Sequence, residues 1–151
     1  MMSIEGLEKL DVWCKARDFT LAVYRQVLPT LPPEEKWGLA QQIRRSAQSI
    51  PANIAEGYGR YYYQDNVRFC YIARGSLEEA LSHIVIAHDL GFISEFIYEG
   101  LKQQGDDLAR LVNGYIAYLK RSKQGANEPG ANHVLREHEE NYHVEPHEDE
   151  N

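Results

Sequence analysis

Basic side chains beside tyrosines are the feature of this sequence with the clearest chemical potential. Lysine and arginine recur between residues 15 and 74, and three consecutive tyrosines follow Arg60. Phosphate binding needs several basic side chains on one surface, and an arginine beside an aromatic ring can hold a phosphate while a base stacks on the ring. We predict a nucleic-acid contact surface made of nine residues: Lys15, Arg17, Arg44, Arg45, Arg60, Tyr61, Tyr62, Arg68 and Arg74.

Structural roles for the same residues stay open on sequence alone. Arg44 and Arg45 are adjacent, so on a helix their side chains point about 100° apart and do not face one ligand together. Arginine is favoured in interface ion pairs, for which Glu56 or an acid later in the chain is a candidate partner. Tyrosine is common in subunit interfaces. The set therefore fits either a nucleic-acid contact or an interface between subunits.

Catalytic and metal-binding signatures are absent from the sequence. It contains no nucleophilic triad signature, phosphate-binding loop, dinucleotide fingerprint or zinc motif. Glu78 and Glu79 are adjacent and point apart, and Glu79 lies four residues before His83, where a di-iron bundle requires three. We therefore expect a protein without enzymatic activity, cofactor or metal site.

Acidic residues are concentrated near the C-terminal end. The formal net charge is −7, of which residues 1–122 carry −1 and residues 123–151 carry −6. The last segment is polar, and its four histidines lie among glutamates at spacings that match no metal-site signature. It cannot bury enough apolar surface to offset the entropy of ordering. We predict a folded domain at residues 1–121 and a disordered, acidic, histidine-rich tail at residues 122–151.

Cysteine usage and the lack of long apolar segments favour a cytoplasmic location. Cys14 and Cys70 lie in apolar-patterned segments and are too few for a disulfide framework, so free buried thiols in a reducing compartment are expected. The first residues lack the basic start and apolar run of a secretory signal. No stretch reaches the roughly 18 apolar residues that a membrane span requires, so no membrane partner is expected.

Apolar residues recur with helical periodicity in four segments, and no alternating strand pattern occurs. The segments cover about residues 7–28, 34–56, 64–90 and 95–120. Asp65 and Ser94 are candidate N-caps for the last two helices. The fourth helix is expected to turn Tyr115 inward with Val112 and Leu119. Four such helices with short connections predict an all-α, antiparallel up-down four-helix bundle.

A proline lies inside the second helical segment. Pro51 has no amide hydrogen, so the carbonyl of Ala47 should lose its helical partner and the helix should bend. Ser46 and Ser49 are close enough in the chain to bond the freed backbone group.

Three runs of the sequence combine in a specific pattern. Residues 11–25 read DVWCKARDFTLAVYR, residues 37–60 read WGLAQQIRRSAQSIPANIAEGYGR, and residues 69–87 read FCYIARGSLEEALSHIVIA. Together they resemble the four-helix-bundle family of 23S rRNA intervening-sequence proteins, also called S23 ribosomal proteins. The resemblance implies structural roles for seven motif residues: Ser49, Pro51, Asn53, Glu56, Gly57, Gly75 and Ser76. Gly75 is small enough to let a neighbouring helix come close.

The resemblance also bears on function. It implies a ring-like homo-oligomer, which is a pentamer in the best-known members, and no enzymatic activity. Some genes of the family lie inside insertions in ribosomal RNA genes. The accessory variability-determinant protein of diversity-generating retroelements is similar in architecture, and it binds a reverse transcriptase and nucleic acid through a basic surface.

Two functions follow as alternatives. The first is a non-enzymatic homo-oligomeric adaptor that binds RNA or a ribonucleoprotein. The second is a self-assembling scaffold that recruits a protein such as a reverse transcriptase without binding nucleic acid itself.

Overall fold

Helices make up most of the fold. The structure is a computed structural model that describes residues 4–126. Its α-helices are α1 (Ile4–Glu8), α2 (Asp11–Gln26), α3 (Leu39–Tyr58), α4 (Tyr63–Asp89) and α5 (Glu95–Ser122). Two 3₁₀ turns, Leu28–Thr30 and Pro33–Glu35, connect α2 to α3, and no strand occurs within residues 4–126. The all-α class is confirmed, and the predicted tail lies outside the described residues from position 127 onward.

The long helices α2 to α5 pack side by side as an antiparallel bundle. Each packs against the helix that follows it in the chain, and α2 also packs against α5, which closes the ring of contacts. The connections are short, so successive helices run in opposite directions. The short helix α1 packs on α2. The predicted up-down four-helix bundle is therefore confirmed.

The apolar stripes predicted for α2 and α3 form the core. Nine of their residues are almost completely buried: Val12, Ala16, Phe19, Val23, Val27, Ile43, Ala47, Ile50 and Ile54. The prediction is less complete further along the chain. Cys70 and Ile116 are buried although neither belongs to a predicted stripe, and Tyr115, predicted to point inward, is only half-buried.

Both cysteines are free thiols, as expected, but only one is fully buried. Burial raises the pKa of the Cys70 thiol to about 12. Cys14 is half-buried, and its thiol donates to the carbonyl of Glu8 at 3.0 Å. Cys70 is therefore kept in the unreactive thiol form at neutral pH, because the thiolate is the nucleophile.

Two helices begin later than the sequence predicts. The first predicted helix is interrupted at Leu10, whose backbone is extended (φ −79°, ψ 109°), so α2 begins at Asp11. The second begins at Leu39 because the preceding residues form a 3₁₀ turn. The carboxylate of Glu35 in that turn accepts a hydrogen bond from the Leu39 amide at 3.0 Å, which satisfies one of the free donors at the helix start.

One of the two predicted N-caps is correct. Ser94 caps α5, because its hydroxyl oxygen accepts a hydrogen bond from the amide of Ile97 at 3.2 Å. Asp65 does not cap α4, since that helix already begins at Tyr63.

The carbonyl that Pro51 leaves free is bonded by another helix. Pro51 lies inside α3, which continues without a break from Leu39 to Tyr58. The hydroxyl of Thr20 on α2 lies 3.0 Å from the buried Ala47 carbonyl oxygen and 2.9 Å from the carbonyl oxygen of Ala16 on its own helix, and it shares its one hydrogen between them. The serine prediction is wrong for this carbonyl, because Ser46 donates to carbonyls one turn earlier. The partner of this carbonyl thus comes from the facing helix.

This arrangement predicts a conditional effect of replacing Thr20. Thr20→Val should lower the free energy of unfolding by about 1–2 kcal/mol, because the buried Ala47 carbonyl would lose its partner. In a chain that also carries Pro51→Ala, the cost should fall close to zero, because position 51 regains an amide hydrogen. Urea denaturation of the four chains measures the coupling. The same cost in both backgrounds would contradict the assignment.

Motif residues with implied structural roles connect α3 to α4. The hydroxyls of Ser49 and Ser76 are hydrogen-bonded across the two helices at 2.8 Å. The side-chain amide of Asn53 donates to the backbone carbonyl of Ser49 at 2.7 Å and to its hydroxyl at 2.9 Å. These contacts hold the second half of α3 against α4.

The two helices approach each other closely at Gly57. A Cβ atom there would lie 2.7 Å from Asn66 Oδ1 and 2.9 Å from Phe69 Cβ. Gly75, in contrast, is exposed, and within residues 4–126 nothing lies within 4 Å of a Cβ built on it. The close approach predicted at Gly75 therefore does not occur within the described chain, because this residue faces away from the bundle.

Candidate nucleic-acid interface at one end of the bundle

The antiparallel arrangement separates charge along the bundle. It brings the start of α2, the end of α3, the start of α4 and the end of α5 to one end. We call residues 4–18, 49–76 and 109–126 the basic end, and they hold ten lysines and arginines against six acidic residues. The other half, residues 19–48 and 77–108, holds five against nine and is called the acidic end. A bundle of zero net charge therefore has one end of +4 and one of −4.

The first basic cluster surrounds Phe69 at the α3–α4 connection. The guanidinium carbons of Arg60 and Arg68 lie 5.3 Å and 4.9 Å from the ring centroid. Arg60 also forms an exposed ion pair with Glu56 at 2.8 Å. Glu56 therefore pairs with Arg60 and not with the Arg44–Arg45 pair. The Phe69 ring therefore attracts two guanidinium groups, of which that of Arg68 has its Nε buried.

The second basic cluster surrounds Tyr71 in the groove between α4 and α5. The Arg74 guanidinium carbon lies 5.0 Å from the ring centroid, and the Lys120 ammonium nitrogen lies 5.4 Å from it. Arg74 also donates to the side-chain oxygen of Asn113 at 3.0 Å. Lys120 is absent from the predicted set, because it lies on the fourth helix and reaches this cluster only through the fold.

The basic residues of α2 lie on different sides of that helix. Arg17 lies over the ring of Trp13 at 5.5 Å and pairs with Asp18 at 3.2 Å. Arg17 shares a helix face with Thr20, which contacts α3. Lys15 is two residues from Arg17, which places it on nearly the opposite side. Only Arg17 therefore faces toward the α3 side of the basic end.

Arg44 and Arg45 are not part of this surface. They belong to the acidic end, about 20 Å along α3 from its last residue, Tyr58, at the helical rise of 1.5 Å per residue, and Arg60 follows that end. Arg45 instead lines a separate cavity of about 450 Å³ with Ser49, Ala52 and Glu79. The fold thus places five of the seven predicted basic residues at the basic end, with Lys15 on a different side from the other four, and separates Arg44 and Arg45 from them.

A pocket lined by tyrosines opens at the basic end. Its volume is about 430 Å³. We call it the tyrosine pocket, and its principal residues are Tyr58, Arg60, Tyr61, Asn66, Tyr115 and Tyr118. Two of the predicted site residues, Arg60 and Tyr61, line the tyrosine pocket. The other three tyrosines were not predicted as site residues. A sequence signal exists for two of them. Tyr115 and Tyr118 are three residues apart, so they share a face of the fourth helix, and an antiparallel bundle brings the end of that helix to the α3–α4 turn.

Tyr62 packs against Tyr61, one of the residues that line the pocket. Its ring packs edge-on against Tyr61 with centroids 5.3 Å apart. Gly125 lies against both rings, since a Cβ atom there would be 2.5 Å from the Tyr62 ring and 3.4 Å from the Tyr61 ring. Gly125 has a φ of +78°, which favours glycine. Packing of the bundle therefore continues past the predicted domain boundary at Arg121.

The half-buried Tyr115 is fixed by a polar contact. Its hydroxyl accepts a hydrogen bond from the side-chain amide of Asn66 at 3.2 Å. Burial raises the pKa of Tyr115, and the hydrogen bond from Asn66 opposes that shift. The phenol is therefore neutral at physiological pH, and its hydroxyl keeps a hydrogen that it can donate.

Residues 4–126 form neither a cluster of metal ligands nor a membrane-spanning helix. No group of three or more potential His, Cys, Asp or Glu ligands converges there. None of the helices in that range combines the length and apolarity that crossing a membrane requires.

Fold and charge distribution define a helical-bundle protein with one basic end. The chain belongs to the family of 23S rRNA-intervening sequence proteins, whose family model matches residues 8–114. The predicted family resemblance is confirmed.

One similar solved structure is a protein of unknown function from the S23 ribosomal protein family of Bacteroides thetaiotaomicron VPI-5482. The two chains are 24% identical with a TM-score of 0.64, over 70% of this chain and 97% of that chain. At this level of identity the likeness bears on the fold alone. No curated protein matches the chain significantly.

Proposed function

We propose that this protein is a non-enzymatic, homo-oligomeric adaptor of the cytoplasm that binds RNA or a ribonucleoprotein through its basic end. The observation that carries the proposal is the separation of charge, with ten basic against six acidic residues at one end of a bundle that is neutral as a whole. A basic surface beside an acidic one orients a polyanion, because the polyanion is attracted to the basic end of the bundle and repelled by the acidic end.

The chemistry of the basic end supports RNA as the polyanion. The guanidinium groups of Arg60, Arg68 and Arg74 lie within 5.3 Å of the ring centroids of Phe69 and Tyr71. Such groups bind phosphate and stack on bases. The family description, 23S rRNA-intervening sequence protein, is consistent with an RNA context for this chain.

Ultraviolet crosslinking tests where RNA binds. A single-stranded RNA should crosslink to the tryptic peptides 61–68 and 111–120, which belong to the basic end, and not to peptide 75–102. Crosslinks confined to peptide 75–102 would contradict the proposal. A complete lack of crosslinks and of binding would favour the alternative scaffold, which recruits a protein such as a reverse transcriptase without touching RNA.

Exposed apolar side chains on the outer side of α4, which flank the pair Glu79–His83 on that side, support self-association. Ile72, Ile86 and Leu90 are 42%, 47% and 56% exposed, and the open Gly75 lies on the same side of the helix. A helix that is apolar on its outer side as well as its inner side is typically buried on both. We propose that this face packs against a second copy of the chain. The resemblance gives a ring of five subunits as the expected assembly.

Charge placed on this face should dissociate the assembly. The variant Ile72→Glu with Ile86→Glu is expected to run as a monomer, because an oligomer would bury two unpaired carboxylates in each subunit. Leu21→Glu is the matched control, since Leu21 is 38% exposed on α2 and outside this face. Light scattering measures the mass. A monomeric wild-type chain, or an unchanged mass in the double variant, would refute the assignment.

A further inference from the structure

We propose that the tyrosine pocket receives one unstacked base of a single-stranded RNA while Arg60 holds a neighbouring phosphate. This inference rests on the proposed function and adds to it the form of RNA that is bound. It assigns roles to Tyr58, Tyr115 and Tyr118, which the basic surface alone does not explain.

The rings of the pocket suit a planar aromatic ligand. Tyr115 and Tyr118 are nearly parallel, with an interplanar angle of 16° and centroids 6.3 Å apart. Tyr61 and Tyr118 are both 58% exposed, so a ligand can reach these side chains without rearrangement of the core. Stacking on such rings does not depend on the identity of the base, because every base has a π-face.

The pocket is held in shape by contacts with the surrounding chain. The backbone amide of Tyr63 donates to the carbonyl of Gln124 at 3.0 Å, which ties the segment after α5 to the start of α4. Asn66 fixes the hydroxyl of Tyr115, and Tyr62 packs edge-on against Tyr61. A ligand therefore enters a largely preformed site, which lowers the entropy cost of binding.

Size and charge favour a base over other planar groups. A volume of about 430 Å³ suits a group of nucleotide size. Arg60 is the one charged side chain among the residues that line it, and no carboxylate does so. Arg60 also stacks on Phe69 and so belongs to the first basic cluster. A strand can therefore place a base in the pocket while its backbone continues along the cationic groups.

The geometry of the pocket also favours single-stranded RNA over duplex RNA. In a duplex the bases are paired and stacked, and a side chain can reach only their edges. A pocket of tyrosine faces can accept a base only from a loop, a bulge or a single strand. The proposal therefore predicts that the bases, and not only the phosphates, contribute to affinity.

The test compares two probes on the full-length chain. One is a short single-stranded RNA, and the other is an abasic oligomer of equal length that keeps the ribose–phosphate backbone. Tyr61→Ala and Tyr118→Ala should each lower the affinity for the RNA about ten-fold or more and leave the affinity for the abasic oligomer unchanged. Tyr118→Phe, which keeps the ring, should restore RNA binding.

Phe96→Ala is the matched control, because Phe96 is 88% exposed and lies at the opposite end of the bundle. Its RNA affinity should equal that of the wild-type chain. Equal binding of RNA and abasic oligomer by every variant would overturn the base pocket while leaving the proposed function intact. No binding of either probe by the wild-type chain would overturn both.

Discussion

Reversing the charge of Arg60, Arg68 and Arg74 together is expected to lower the affinity for single-stranded RNA about a hundred-fold at 0.1 M salt. Each lost contact between a basic side chain and a phosphate removes about five-fold at that salt concentration through counterion release. The triple Glu variant should also flatten the plot of log affinity against log salt by about two units, since each single-strand contact contributes about 0.7. Fluorescence anisotropy with a labelled RNA measures both quantities.

A control with the same change in net charge separates an interface from a bulk effect. Arg25, Lys36 and Arg45 are exposed and lie at the acidic end. Their triple replacement by glutamate should reduce the affinity several-fold at most, because charges farther away than a Debye length are largely screened. Circular dichroism should be unchanged for both triples. Equal losses of affinity would mean that net charge alone governs binding, and the basic end would lose its assigned role.

Gly57→Ala should lower the free energy of unfolding by about 1–3 kcal/mol. A methyl group at this position would meet Phe69 Cβ at 2.9 Å and the backbone carbonyl oxygen of Asn66 at 3.0 Å. A backbone atom and a Cβ cannot swing away, so α3 and α4 must separate, and the cost of overpacking exceeds the helix propensity that alanine gains. Urea denaturation measures the loss.

Gly114→Ala is the matched replacement for this experiment. Gly114 lies in the interior of α5, and nothing in the described part of the chain lies within 4 Å of a Cβ built there. This change should stabilise the protein by up to about 1 kcal/mol through helix propensity alone. If the two alanine variants change the free energy of unfolding alike, the assignment of a close contact between α3 and α4 at Gly57 is wrong.

The helical architecture was predictable because it depends on local spacing. Apolar residues three and four apart predict the buried faces of α2 and α3, and Ser94 predicts the start of α5 from its type alone. The partner of the Ala47 carbonyl was not predictable in this way. Thr20 lies 27 residues away from Ala47, and only the packing of α2 against α3 brings the two together.

The candidate site was predictable by residue type but not by location. Arg44 and Arg60 look equivalent in the sequence, and the rise of α3 places them at different ends of the bundle. Tyr118 reaches Tyr61 and Arg60 only because the end of α5 meets the α3–α4 connection. Periodicity assigned Tyr115 to the core, yet its hydroxyl bonds Asn66 at the pocket. The spacing of residues predicts which face of a single helix is buried, whereas this site is formed by side chains from several helices.

The most direct test of the central claim is the salt dependence of RNA binding by the full-length chain. The account predicts measurable binding of a short single-stranded RNA at 50 mM salt that weakens steeply as salt increases. A log–log slope of about −2 or steeper would correspond to three or more phosphate contacts. No binding at 50 mM salt, or binding that does not change with salt, would contradict the account, and the aromatic and basic groups of the basic end would then be better explained as a protein interface.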